Sequence, residues 1–188
     1  RPLQYTLRVD IPQSQRAIVA GDLESDRITD GRRLQTYRFE QPDPVIDLMA
    51  GPYRIMERKF TGAGNRTITL RSLLHEEVAE LGAGYLDATE RYLRLYENWI
   101  GPYPYGSFSI VSSPTPTGFG MPTLTYLGID VLRLPFIRDT SLGHEVLHNW
   151  WGNGVYPDYA TGNWSEGLTT FMADHAYREQ AGPAAGRE

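Results

Sequence analysis

The hydrophobic period of this chain changes once, and that change limits the architectures open to it. Leu3, Tyr5, Leu7 and Val9 alternate with polar neighbours, the period of a half-buried strand. Shorter runs around Leu34 to Phe39, Tyr53 to Arg58 and Arg66 to Leu70 read the same way. Turn formers separate them: Asp30-Gly31, Gln41-Pro42-Asp43-Pro44 and Gly62-Ala63-Gly64-Asn65. These residues predict part of an antiparallel sheet or sandwich. After Glu76 the period lengthens. Tyr85, Leu86, Thr89, Tyr92, Leu93, Tyr96 and Trp99 recur at helical spacing until Gly101-Pro102 stops the run. The aromatic stripe belongs to a core rather than to a ligand box.

From Pro102 to Pro135 the chain is rich in Pro, Gly and Thr, with strand-like pieces at Phe108 to Ser112 and Leu124 to Ile129. Two helices are expected next, from about Thr140 to Gly152 and from about Trp164 to Gln180. A loop of Gly, Asn and Tyr lies between them, and the tail Ala181 to Gly186 is expected to fray. Strands followed by helices make the expected fold class α+β.

Composition closes off several functions. The 188 residues carry a formal net charge of -5, and the arginines are scattered rather than blocked. A nucleic-acid surface needs a concentrated basic patch, so no nucleic-acid partner is expected. No apolar stretch approaches the roughly 18 residues that cross a bilayer. With no cysteine, any metal must be held by imidazole and carboxylate. Cysteine absence fits cytoplasm and periplasm alike and decides neither. Opening on Arg1 and directly in a strand pattern, the chain is expected to be an excised fragment or a processed product, so a missing leader carries no information. A monomer is expected.

The chemistry concentrates in His144-Glu145-Val146-Leu147-His148. On a helix, residues four apart share a face, so both imidazoles can reach one ion. Leu142, Val146 and Leu147 supply the apolar side that fixes the helix in a core. Glu145 adjoins the first histidine and can face a water without binding the metal. A catalytic zinc takes three protein ligands, at roughly 2.0–2.2 Å, and keeps one position open. Glu166 is the expected third ligand. It opens the next predicted helix behind Asn163-Trp164-Ser165, and a helix N-terminus favours a carboxylate.

The run His144 to Asn153, followed by Trp164-Ser165-Glu166-Gly167, resembles the signature of the aminopeptidase N-type zinc metallopeptidases, of the gluzincin group. Ser165 stands where that family usually has Asn, and the loop before Glu166 is one residue shorter, a change that loops absorb readily. Leu48-Met49-Ala50-Gly51-Pro52-Tyr53 and Pro102-Tyr103-Pro104-Tyr105 also resemble their family counterparts. The resemblance implies a partial antiparallel β-domain over 1–70, then over 71–188 the zinc-binding, N-terminal half of a thermolysin-like peptidase domain. It further implies Zn2+ as cofactor, a peptide substrate and Glu145 as general base. Family aminopeptidases line the cleft with a Gly-Ala-Met-Glu-Asn strand whose glutamate binds the substrate amine. Phe119-Gly120-Met121-Pro122-Thr123 occupies the matching place. Gly120 and Met121 are therefore expected to bind substrate, and Pro122 replaces the amine-binding carboxylate.

Other residues are given smaller parts. Thr169 and Thr170, one turn beyond Glu166, could orient a ligand imidazole or simply pack. Asp174, two turns away, is the poorer choice for that task. His75 is expected at the surface, and His175 lies too far along its helix for the same ion. Tyr156 and Tyr159 could approach the cleft, while the tyrosine with which the family stabilises the oxyanion would lie beyond this chain. Two other readings stay open: a scaffold relative without catalysis, and a zinc hydrolase of a non-peptide ester or epoxide.

Overall fold

Asp30 and Gly31 both adopt positive φ, 51° and 75°, which lets a two-residue turn join two strands with the right twist. The turn links β3 (Asp22–Thr29) to β4 (Arg32–Asp43), and β1 (Leu3–Pro12) pairs on the other side of β4 in a three-stranded antiparallel sheet. The computed structural model describes residues 3–43 and 45–175. Of the expected turn Gln41 to Pro44, residues 41–43 instead continue β4, and Pro44 falls outside the described residues, as does the tail from Ala181. Two short strands, β2 (Arg16–Ile18) and β5 (Met49–Gly51), form a separate antiparallel pair.

The second sheet has five strands in the order β6-β7-β8-β10-β9. β6 (Arg54–Thr61) and β7 (Thr67–Leu74) form a hairpin around Gly64 and Asn65, both at positive φ. Residue 70, the expected domain boundary, falls inside β7, and β7 runs parallel to β8 (Ser107–Ser113). A parallel neighbour needs a long crossover, which α1 (Gly82–Trp99) supplies. α1 buries Tyr85, Leu86, Thr89, Tyr92, Leu93 and Tyr96 of the predicted stripe, while Trp99, in its last turn, is exposed. It ends at Ile100, and Gly101 at φ 137° turns the chain away, as the Gly-Pro pair predicts.

β10 (Leu124–Gly128) continues the parallel side of the sheet, and β9 (Gly118–Met121) closes it as an antiparallel edge strand. Strand pairing stops at Gly128, one residue short of expectation, because Ile129 opens the single-turn α2 (Ile129–Leu132). Every residue of β8 is buried, which suits a strand covered on both faces. The main core gathers α1 and the sheet around Tyr85, Leu93, Tyr96, Phe108 and Ile110. A second cluster, with Ile18, Tyr37, Tyr53 and Leu124, joins the β-rich part to the sheet.

α3 (Ser141–Leu147) and α4 (Trp164–Thr170) are shorter than expected. His148 still keeps helical φ and ψ at the end of α3, its N–H donating to His144 O at 3.2 Å. Beyond it the turn tightens through Trp150 and Trp151 onto Leu147 O, and Gly152 leaves at φ 112°. α4 widens into a π-helical turn over Phe171–His175, and its expected continuation to Gln180 lies outside the described residues. Among the described residues no helix is long and apolar enough to cross a membrane.

Candidate metal centre and cleft

Leu142, Val146 and Leu147 are fully buried and pin one face of α3. The Tyr96 hydroxyl donates to Gly143 O at 3.0 Å from α1. The opposite face carries His144 and His148, whose Nε2 atoms lie 3.0 Å apart. Asn163 caps α4, its Oδ1 accepting from Glu166 N and from the Ser165 hydroxyl. That cap sets Glu166 opposite the histidines, with Oε1 3.1 Å from His144 Nε2 and Oε2 3.2 Å from His148 Nε2. These three side chains could hold one metal ion.

The spacing bears on which ion. Donors at roughly 2.05 Å in tetrahedral array stand about 3.3 Å from one another. The two Nε2 atoms, 3.0 Å apart, come close to that spacing, Glu166 meets each of them with a different carboxylate oxygen at 3.1 and 3.2 Å, and no thiolate is needed. Both side-chain types suit a small divalent cation of the zinc kind.

Each imidazole is steadied from behind. His148 Nδ1 lies 3.0 Å from Trp151 O, a hydrogen bond that leaves the Nε2 lone pair for a metal, and Thr169 Oγ1 stands at 3.4 Å. Thr170, the other expected threonine, is exposed. His144 Nδ1 is met instead by Asp174 Oδ2 at 3.4 Å. The lower standing expected of Asp174 is therefore corrected: the π turn, wider than an α turn, carries residue 174 back over His144. No residue in 171–175 advertises that widening.

Glu145 contributes nothing to the donor triangle. Burial pushes its carboxyl above the usual range, the two imidazoles partly offset this, and Glu166 and Asp174 push it up again. Its neighbour across the cleft is Gly120, where a Cβ would stand 2.4 Å from Glu145 Oε2. A larger residue there would have to displace the carboxylate end of Glu145.

The cleft, about 320 Å³, runs between β9, α3 and the loop before α4. Gly120 lines it, whereas Met121 packs against the second apolar cluster, since successive strand residues face opposite ways. Phe119, Asn153 and Asn163 also line it and were missed by the sequence reading. Phe119 is 57% exposed, and a large aromatic between two glycines on a short strand is the signal that could have marked it. Tyr159 lines the cleft and Tyr156 does not. Pro122 and Thr123 form the tight turn between the paired residues Met121 and Leu124, so the strand end bears no charge. Among the described residues lining the cleft, Glu145 and Glu166 are the acidic ones. His75 is apart from all this, partly buried with Nδ1 2.7 Å from Ser112 Oγ and its ring edge-on to Tyr53.

A mixed sheet over a His-Glu-x-x-His helix, with a carboxylate on the following helix, is an arrangement that metallopeptidases also use. No family model matches the chain. It is 27% identical over 175 residues to leukotriene A-4 hydrolase of Xenopus laevis, covering 89% of this chain and 28% of that protein. It is 28% identical over 157 residues to aminopeptidase RNPEPL1 of Mus musculus, covering 80% and 21%. An M1 zinc metallopeptidase structure from Deinococcus radiodurans superposes with TM-score 0.75 at 26% identity, covering 96% of this chain and 41% of that one. A two-domain M1 zinc metallopeptidase mutant bound to L-arginine gives TM-score 0.77 at 24% identity, covering 98% and 42%. The chain is similar in sequence to M1 zinc metallopeptidases and shares their fold. It spans less than a third of the curated relatives it matches.

Proposed function

We propose that the whole protein hydrolyses peptide bonds with Zn2+ held by His144, His148 and Glu166. The observation that carries this reading is the convergence of His144, His148 and Glu166, with the half-buried carboxylate of Glu145 beside them. His144, His148 and Glu166 would hold the zinc, which when bound would supply a water of lowered pKa and a Lewis acid for the scissile carbonyl. Glu145 accepts the proton of the attacking water and returns it to the leaving amine. Gly120 keeps the far wall low, so a substrate backbone can pass close to that carboxylate. Pro122 stands where relatives are expected to place the amine-binding acid, and the uncharged strand end supports a substrate whose amine need not be free. Presence of both histidines, Glu166 and Glu145 disfavours a scaffold without catalysis.

Metal analysis tests the centre. One zinc per chain is expected in the parent protein and a large loss in His148→Ala. Equal zinc content in the two proteins would remove His148 from the ligand set.

A further inference from the structure

We infer that Asn149 is a positioning residue that holds the cleft strand β9 at a set distance from Glu145, an inference that rests on the hydrolytic reading above. Asn149 follows His148 and is fully buried. Its Oδ1 accepts from Thr123 N at 2.9 Å and from the Tyr103 hydroxyl at 3.3 Å. Its Nδ2 donates to Glu145 O at 3.3 Å and Val146 O at 3.2 Å. These four bonds use the full capacity of a primary amide. The partners also fix which way the amide faces, because a backbone N–H can only donate and a carbonyl can only accept.

The two ends of this bridge are the two sides of the cleft. Glu145 and Val146 belong to α3, which carries the histidines. Thr123 ends the turn that reverses β9 into β10, and it sits at φ 67°. A β-branched residue in the left-handed region is strained and stays there only when its surroundings hold it. Three bonds do so: Asn149 on its N–H, Gly21 N donating to its Oγ1 at 2.9 Å, and Ser109 N donating to its carbonyl at 2.9 Å. Among the described residues β9 is an edge strand paired only with β10, so its distance from α3 is set where the hairpin is tied. At Gly120 that distance leaves no space for even a Cβ before Glu145 Oε2. Asn149 is not among the residues lining the cleft. It acts through the turn and the helix, never on substrate.

The test uses the full chain with Asn149→Ala, Asn149→Asp and Asn149→Ala/Thr123→Asn. Asn tolerates the left-handed region better than Thr and still offers an acceptor to Gly21 N. Amide hydrogen exchange on the metal-free proteins is the first readout. Asn149→Ala should speed exchange at Thr123 by at least about tenfold while amides inside α1 keep the parent rate. Adding Thr123→Asn should recover much of that protection. Asn149→Asp keeps both acceptor roles but faces two carbonyls without donors, so Thr123 should stay protected while the α3 end loosens. In turnover by the full-length enzyme, kcat/KM in Asn149→Ala should fall by about tenfold at unchanged zinc content, and Thr123→Asn should restore part of it. Unchanged Thr123 exchange, parallel acceleration across α1, or no recovery with Thr123→Asn would each overturn the proposal. Should Asn149→Ala not fold, parent-like exchange at the α3 end together with parent-like turnover in Asn149→Asp would overturn it too. If the parent binds no zinc, the hydrolytic reading fails while the exchange pattern still judges Asn149.

Discussion

Glu145 sits beside two imidazoles yet gives no atom to the donor triangle, and this separation allows its role to be tested alone. Glu145→Gln keeps the shape of the side chain but cannot take up a proton. Zinc content should stay at the parent level while hydrolysis by the full-length enzyme drops by about 10²–10⁴-fold; retained activity would remove Glu145 from the mechanism. Pro122 gives a second residue-scale expectation. A carboxylate holding a substrate amine contributes a charge-assisted contact of roughly 1.5–3 kcal/mol, which acetylation abolishes. With an uncharged turn in that place, kcat/KM for a peptide and its N-acetyl form should differ little. A loss beyond about a hundredfold on acetylation, near 2.7 kcal/mol, would show that amine recognition persists. At this scale the sequence was informative where chemistry depends on helical spacing. The i, i+4 histidines and the capped Glu166 could be read directly. Asn149 could not, since one buried amide next to a motif looks like any polar residue until the turn at Thr123 is placed against it.

Elements show the reverse pattern. Periods of two and 3.6 located most strands and α1, whereas partners and irregularities stayed hidden. β7 reads as one more strand of the β-rich part, yet it pairs with β8 across the whole length of α1. The π turn at Phe171–His175 has no period of its own, because its hydrogen bonds are chosen by what α4 meets rather than by its residues. It nevertheless carries a contact. Asp174, within this turn, lies 3.4 Å from His144 Nδ1. A carboxylate behind a ligand imidazole raises its basicity and fixes its ring, and losing one weakens metal affinity by about 10–100-fold. Asp174 has 41% of its side chain exposed, so Asp174→Ala should weaken zinc binding near the low end of that range, about tenfold. Chelator competition measures this, and parent-like affinity would mean that the contact does not steady His144.

For the molecule as a whole, the tyrosine-rich core sets the alkaline limit. Burial pushes the phenols of Tyr85 and Tyr92 up to about 12, and it moves Tyr37, Tyr53 and Tyr103 upward as well. The unfolded chain ionises these groups near the ordinary value of 10.0, while the folded chain keeps them neutral. Their contribution to stability is therefore whole below pH 10 and is lost as pH climbs toward 12, at a limiting slope of about 1.4 kcal/mol per pH unit for each tyrosine. The urea midpoint should hold steady from pH 8 to about pH 9.5 and fall steeply above pH 10; a flat profile through pH 11 would contradict this. The bond from Gly21 N to Thr123 Oγ1 joins residues 102 positions apart, and this has a consequence in time. During synthesis at about 5–20 residues per second, Gly21 waits roughly 5–20 s for its partner to be made. The start of β3, next to Gly21, is without this tie meanwhile, the interval when a nascent chain is most open to wrong pairing. Glu166, the last of the three candidate metal donors, is made later still, so the candidate centre can close only after Thr123 is available to Gly21.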